Sequence, residues 1–514
     1  MQSKTDSRID SKTNAEAHAK SHAVIIGGSL AGLLMSRVLS DYFDRVTVIE
    51  RDIYPDQPAP RKGVPQSRFP HTLMLRGQQI FEQFFPGLKA ELKTQGAIEL
   101  DSTKEIAFLT PAGWAPRVPS DLMLLACSRD LLGWNIRRRL AAVANVEFLT
   151  AARVTGFLTD AEHQKITGVS LQRREKPREY PDAEQREDHQ QNYQQNYHEN
   201  LYADLIVDAS GKASHTPQWL QALGYEPPAE TEVDAKVGYV ARIYQPPRDR
   251  SIDWKLIFAP SAPPQQPRGG AIFPIEGDSA HPDQMRWIIS MVGGDGDCPP
   301  TDEAGFLAFA RSLSTPAIAE VMEQATPISP IYAFYGNENR QRHYDRLSRF
   351  PARLLVVGHA ACLLNPTYGQ AMTVAALEAL TLDRFFQHHA IADLDQKTFD
   401  LQKQLAKAHQ EAWTAATSMD YRYTCNQDKP VSMATRFTNW YWDYLMEVVV
   451  DRPAVHHTFL EVLHLLKPSS VLMQPAILAQ VLWKALRGGR RSNSQQELAF
   501  SERSSQQVVF PIER

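Results

Sequence analysis

Apolar positions along the chain first follow a strand pattern and then a helix pattern. His22 to Ile26 is a short apolar run, glycines follow, and from Leu30 to Leu39 the apolar residues recur at helical spacing. Val46-Thr47-Val48-Ile49-Glu50 is β-branched, apolar and closed by an acid. The pattern predicts strand, glycine turn, helix and strand. A proline-rich loop from Tyr54 to Pro70 comes next. Residues 72–98 read as helical, with Leu73, Leu75, Ile80, Phe84, Phe85 and Leu88 as core candidates. A further helix is expected from Arg129 to Ala144, and strands at Val146 to Leu149, Ile166 to Leu171 and Ala203 to Asp208.

Between two of these strands, residues 173–200 are almost wholly polar and read as a mobile surface excursion. Residues 226–345 change character. Segments 237–244, 254–259, 270–275 and 286–292 alternate with Pro/Gly turns, which predicts a mostly antiparallel sheet. Arg353 to Val357 returns to a buried parallel-strand pattern, followed by a Gly/Pro loop and a helix from Gln370 to Phe386. From about 395 to 488 the chain reads as helical and is rich in Leu, Trp and Tyr. The expected division is a disordered leader (1–20), a first domain of 21–225 plus 346–390, a β-sheet domain (226–345), a helical region (391–488) and a polar tail (489–514).

Composition narrows the class. The 514 residues exceed one simple core and fit two or three joined domains. At 43% hydrophobic, 22% charged and a net charge of −4, the chain is an ordinary globular one without a strong pull toward nucleic acid. The basic cluster Arg487-Gly488-Gly489-Arg490-Arg491 reads as part of a solvated tail. Four scattered cysteines (Cys127, Cys298, Cys362, Cys425) form no C-x-x-C pair, so neither a disulfide framework nor a metal site is expected, and a reducing cytoplasm fits. The first twenty residues lack the apolar stretch of a signal peptide, and no spanning helix is expected.

The glycine turn carries the first chemistry. A strand-to-helix turn rich in glycine lets a pyrophosphate rest on exposed N–H groups at the helix start. Gly27 makes the tight turn, Gly28 sits beside it, Ser29 stands where a middle glycine is usual, and Gly32 permits close helix–strand packing. Glu50 lies at the end of the second strand, where a carboxylate can accept bonds from ribose hydroxyls. This reading requires an elongated groove running from the turn toward Pro366.

Ile26-Gly27-Gly28-Ser29-Leu30-Ala31-Gly32 with Val48-Ile49-Glu50-Arg51-Asp52 resembles the opening of the flavin-dependent monooxygenases: aromatic hydroxylases, squalene epoxidase-like enzymes and polyene epoxidases. Three further segments are similar to the family in order. They are Arg61-Lys62-Gly63-Val64-Pro65-Gln66-Ser67-Arg68 leading to His71, Val207-Asp208-Ala209-Ser210-Gly211-Lys212-Ala213-Ser214, and Val357-Gly358-His359-Ala360-Ala361 with Asn365-Pro366-Thr367-Tyr368-Gly369-Gln370-Ala371-Met372. The resemblance implies an α/β fold: a Rossmann-like FAD-binding domain, an antiparallel β-sheet substrate domain and a C-terminal helical region. It implies FAD contacts from Gly27, Gly28, Ser29, Ala31, Gly32, Glu50, Arg51, Arg61, Arg129, Asp208, Gly211, Gly358, His359, Pro366, Gly369, Gln370, Ala371 and Met372. A helix starting near Gln370 would aim its N–H groups at the reduced ring. Two positions depart from the family. His359 stands where an Asp bonds the ribityl chain, and Ala371 where Gly is usual.

The activity implied is a monooxygenase that takes electrons from NADPH or NADH and inserts one atom of O2 into a small, lipophilic, electron-rich substrate, in secondary metabolism. Epoxidation needs no obligatory protein base, whereas phenol hydroxylation usually does. The sequence nominates no catalytic residue beyond His71, and a structural loop histidine fits that position as well. Tyr239, Ile257, Phe258, Phe273 and Trp287 are expected mostly in the core of the sheet domain. Trp440, Tyr441, Trp442, Tyr444, Phe459, Leu463, Leu472 and Trp483 are expected mainly to pack helices, with a lipophilic tunnel or a weak peripheral membrane contact as the other readings. Three rivals stay open. A flavin halogenase would carry W-x-W-x-I-P after the first domain, whereas Trp440-Tyr441-Trp442-Asp443 lies far downstream and lacks the Ile-Pro. A flavin reductase of prenyl chains and a non-oxidative or cyclising relative are the others. Substrate identity and oligomeric state stay open.

Overall fold

The structure is a computed structural model that describes residues 20–174, 196–247, 252–278, 281, 284–426, 428 and 433–487. The expected leader (all but residue 20), most of the polar stretch 173–200, the tail 489–514 and the basic pair Arg490 and Arg491 lie outside the described residues.

The opening pattern folds as β1 (His22–Ile26), α1 (Leu30–Leu39) and β2 (Arg45–Ile49). Strands Leu354–Val356, Leu205–Asp208, β1, β2 and Val146–Leu149 lie side by side in that order, all parallel. Their unbroken apolar sequences follow from burial on both faces. Alternate residues point to opposite sides. Ala23 and Ile25 pack with Leu33, Leu34 and the helix Ala371–Phe386. Val24 and Ile26 pack with Val154, Ile166 and Val169 of an antiparallel three-stranded sheet.

The second sheet has eight strands and is antiparallel except at one junction. Gly238–Gln245, Arg286–Gly293, Arg268–Ile275 and Leu256–Ala259 match the expected segments closely. The patterning did not reveal Ile106–Thr110, which comes from the first part of the chain and pairs in parallel with Leu256–Ala259. The pattern also concealed two helices, Glu303–Arg311 and Ala317–Gln324, which cover one face of this sheet. The helical stretch expected over 72–98 is split into Leu75–Phe84 and Leu88–Thr94, followed by the strand Ile98–Asp101. The break falls at Pro86-Gly87, where Gly87 adopts φ +79° and Pro86 lacks the N–H a continuing helix needs.

The large apolar residues expected in the roof divide by sheet face. Ile257 and Trp287 are core, packed with Ile272, Ile289 and Met291 under the two helices. Tyr239, Phe258 and Phe273 point the other way and line a cavity. The C-terminal region forms helices Leu394–Asp420, Met433–Asp451, Pro453–Leu463 and Pro475–Arg487. Of its expected packing aromatics, Tyr441 and Phe459 are buried, while Trp440 and Trp483 are exposed. Among the described residues no helix is long and apolar enough to cross a membrane.

Candidate active site

The β1–α1 turn depends on two glycines. Gly27 adopts φ +101°, donates its N–H to the Ile49 carbonyl at 2.8 Å, and would meet the Ala209 carbonyl with any Cβ. At Gly32 a methyl group would overlap the Gly27 carbonyl, which is the close helix–strand approach expected there. Beside them, Gly28 is enclosed by protein. Its N–H donates to Glu50 Oε2 at 3.0 Å, and its carbonyl accepts from Tyr54 Oη at 2.9 Å and Arg61 Nη2 at 3.0 Å. Arg61 also pairs with Glu50 at 3.0 Å, and the other Glu50 oxygen accepts from the Asp52 N–H at 3.1 Å. Glu50 is therefore turned into the corner. Gly28 and Arg61 face a small recess of about 40 Å³ with Tyr54 and Trp134, separate from the main cavity.

The main cavity measures about 2280 Å³, more than twice the ~1,000 Å³ upper end for a single small-molecule pocket. Its wall begins at Ser29, Leu30 and Ala31 and continues over Ala209–Gly211 and Gly358–His359 to Pro366–Met372. That order follows the neighbouring carboxyl ends of β1, Leu205–Asp208 and Leu354–Val356, the usual ligand-binding edge of an open parallel sheet. The groove expected between the glycine turn and Pro366 is present, and it starts at Ser29. Arg51 and His71 also line it.

Arg129, only 9% exposed, places Nη2 3.1 Å from Ser29 Oγ and makes no ion pair among the described residues. Burial, with the nearby Arg61 charge, lowers its pKa to about 10. A buried cation of this kind, beside a helix N-terminus, suits an anion. Asp208, by contrast, is fully buried and does not face the cavity. It accepts from Ser210 N (2.9 Å) and from the hydroxyls of Ser214 and Thr216 (2.5 and 2.6 Å). Its work is to shape the turn that presents Gly211, whose φ is +82°.

Two buried networks that the sequence reading missed hold the far loops. Glu378, on the cavity-facing helix Ala371–Phe386, accepts the Gly358 N–H at 2.9 and 3.0 Å and pairs with His409 at 2.5 Å. Burial alone would push His409 down. The Glu378 charge and hydrogen bonds to Cys362 and Glu378 outweigh it and raise the pKa to about 10. Glu378 could have been noticed as a charge on the apolar face shared with Val374 and Leu382, since residues four apart align on a helix.

Asp420 accepts from Asn339 Nδ2 (2.6 Å), Asn365 Nδ2 (3.0 Å) and Tyr368 Oη (2.5 Å). Burial nevertheless pushes its carboxyl up to about 6. Asn365 in turn accepts from Tyr239 Oη at 2.6 Å. The loop before the helix is thereby tied to the roof sheet and to the helix Leu394–Asp420. No local sequence pattern marks Asp420.

His359 and Gln370 line this wall, and His359 Nε2 and Gln370 Oε1 are buried behind it without a hydrogen-bond partner. His71 Nδ1–H donates to the Phe69 carbonyl at 2.8 Å, so the neutral ring carries its proton on Nδ1 and leaves Nε2 unprotonated. Desolvation, with the charges of Arg129 and His359, lowers its pKa to about 4. His359 is lowered to about 4 by burial. Both rings are neutral near pH 7, and His71 is a weak base. Beyond the loop the wall turns apolar. Phe108 stacks on Phe258 at 5.7 Å and on Phe459 at 6.1 Å, and Trp442 packs edge-on to Phe459.

No family model matches the chain. A curated protein does: protein Rv3254 of Mycobacterium tuberculosis (strain ATCC 25618 / H37Rv) is 30% identical over 461 residues, 88% of this chain and 91% of that protein. Among solved structures, a triple mutant of the flavin-dependent brominase Bmp2 superposes with a TM-score of 0.57 at 14% identity, covering 91% of this chain and 99% of that one. The p-nitrophenol 4-monooxygenase PnpA from Pseudomonas putida DLL-E4 gives 0.54 at 15%, covering 86% and 96%. The chain belongs to the family of protein Rv3254 and has the fold of the FAD-dependent monooxygenases and halogenases.

Proposed function

We propose that this protein is an FAD-dependent monooxygenase that takes electrons from NADPH or NADH and transfers one atom of O2 to a lipophilic, electron-rich substrate. The observation that carries the reading is Arg129: a buried cation without a carboxylate partner, set against Ser29 at the start of a groove that continues to Pro366–Met372. A dinucleotide diphosphate is the anion that fits a glycine turn, a helix N-terminus and such an arginine together. The amides after Ser29 and the Arg129 guanidinium would hold the diphosphate. Gly211, Gly358 and His359 would contact the chain beyond it. The first N–H groups of Ala371–Phe386 would face the ring, where a helix start favours negative charge.

Bound FAD would supply the redox chemistry. The chain's own contribution is positioning and the exclusion of water. Glu378 fixes Gly358, Asp420 and Asn365 fix the loop at Pro366, and Phe108, Phe258, Trp442 and Phe459 keep the reaction space apolar. His71 and His359, neutral near pH 7 and weakly basic, are poorly suited to activating a phenol, and epoxidation would need no such base.

The experiment has two steps. Purified protein titrated with FAD should give a bound flavin spectrum; the absence of flavin bands overturns the assignment. The loaded enzyme, NAD(P)H and isotope-labelled O2 are then incubated with polyenes and phenols. One labelled oxygen in the product is expected, and a reduced product without label would point to a reductase.

A further inference from the structure

The helix Pro475–Arg487 is apolar on both of its faces. Toward the protein, Ile477 and Val481 are buried and share a core with Leu445, Val448 and Val449 of the helix Met433–Asp451. Lys484 closes one flank through an ion pair with Asp451 at 2.5 Å. On the outer side Ala479, Leu482, Trp483 and Leu486 recur at i, i+3, i+4 and i+7 and form one stripe. Its three large members are 42%, 55% and 84% exposed. Grouped apolar exposure of this kind marks a contact surface, unlike scattered single residues. The Arg487 guanidinium lies over the Trp483 ring at 3.8 Å and makes no ion pair among the described residues. Met473, exposed two residues before the helix, and Lys484 both line the main cavity, so the helix borders it.

Charge indicates what covers the stripe. From Pro475 to Gln496 the sequence holds the basic residues Lys484, Arg487, Arg490 and Arg491 and no acidic one. We propose that this helix lies in the surface of an anionic lipid bilayer, with Leu482, Trp483 and Leu486 below the headgroups and Arg487 among the phosphates. Trp and Leu on one side of a helix with basic residues at its border is the pattern of helices that rest in such an interface. The indole suits that depth, since it is apolar with one polar edge. The basic residues add a salt-dependent attraction to anionic headgroups. A second copy of the chain fits less well. A stripe about 20 Å long and one helix wide falls short of the ~800 Å² per partner of a stable interface, and two copies meeting there would bring their Arg487 side chains together. The attachment needs no flavin and stands apart from the proposed chemistry. It sets the cavity beside the phase in which lipophilic molecules dissolve.

The test mixes the full chain with vesicles of phosphatidylcholine and phosphatidylserine, or of phosphatidylcholine alone, and separates bound from free protein by flotation. Wild type should bind the mixed vesicles at least about 10-fold more tightly, and the difference should shrink as salt rises from about 0.15 M to about 1 M. Trp483→Ser combined with Leu486→Ser should weaken binding to the mixed vesicles at least about 10-fold with no change in Tm, since both side chains are exposed and neither lines the cavity. Arg487→Glu should weaken binding to the mixed vesicles and leave phosphatidylcholine binding unchanged. Trp483→Phe should keep the binding and lose much of the tryptophan quenching by brominated lipid chains. Absence of binding to the mixed vesicles, equal affinity for the two kinds, or binding that survives in the double serine variant overturns the proposal. Self-association that the double serine variant abolishes, without vesicle binding, also overturns it and assigns the stripe to a second copy. An FAD titration on the same samples reads the functional assignment separately. Vesicle binding without FAD uptake removes the oxygenase and keeps the lipid contact; FAD uptake without vesicle binding does the reverse.

Discussion

The two ends of the cavity are built from different materials. At the Ser29 end the wall is mostly backbone: helix-start amides and turns at positive φ, with Arg129 beside them. At the Phe459 end it is side chain, contributed by the segment after Ile98–Asp101, the roof sheet and two C-terminal helices. Backbone walls tolerate few residue types, because a Cβ in the wrong place collides with the main chain. Side-chain walls can be rebuilt without disturbing the fold. The first end is therefore suited to a fixed ligand and the second to one that differs among relatives.

Four substitutions would break or sharpen that contrast. The largest effect is expected at Glu378, which fixes Gly358 from beneath. Glu378→Gln removes one partner of a buried ion pair and should cost about 3–5 kcal/mol of stability, read as a fall in Tm with weakened FAD binding. The same pair sets a pH dependence. His409 has a folded pKa of about 10, above its ordinary 6.5. Its contribution is complete below pH 6.5 and is lost as pH rises toward 10. Wild-type Tm should decline over that interval, and the decline should be much reduced in Glu378→Gln.

Next comes Gly32→Val, which forces a side chain into the Gly27 carbonyl and should cost about 3 kcal/mol by overpacking, with loss of bound flavin. A valine variant with normal Tm and normal flavin content would refute the backbone argument. Arg129→Met should weaken FAD about 30-fold, or ~2 kcal/mol for a charged hydrogen bond, with little change in Tm; fluorescence titration measures it. The smallest effect is expected at Phe258→Ala on the apolar wall. Octylbenzene binding should fall about 10-fold, ~1.4 kcal/mol, while FAD affinity stays within about twofold. A matched loss of FAD would mean that the two ends are not separable.

The same contrast explains what the sequence disclosed. The glycine turn with Ser29 was legible because it is local, residue type and spacing carrying the geometry, whereas Arg129, Gly211, Gly358 and the loop through Gln370 were legible through short contiguous motifs that resemble those of the flavin-dependent monooxygenases. All of these except Gly27, Gly28 and Gly32, which form the turn behind it, reach the cavity. Glu50 and Arg61 were legible as positions but not as partners. Their mutual ion pair, 11 residues apart and closed over Gly28 by Tyr54, depends on how a proline-rich loop folds back. Asp420 gave no signal, since it acquires meaning only from Asn339, Asn365 and Tyr368, far along the chain. The roof residues were hidden differently. Ile257 and Phe258 are adjacent and both large and apolar, so a strand pattern could not say which face met the core.

The parallel pairing of Leu256, Ile257 and Phe258 with Ile106, Ala107 and Phe108 stitches the roof to the nucleotide platform through main-chain hydrogen bonds. Neither part can be excised at residues 225 and 346 without stripping an interior edge of its ladder. A nick in either connection should release no fragment, and both parts should melt in one cooperative step. Any transplant of a different roof onto this platform would have to carry residues 98–126 with it.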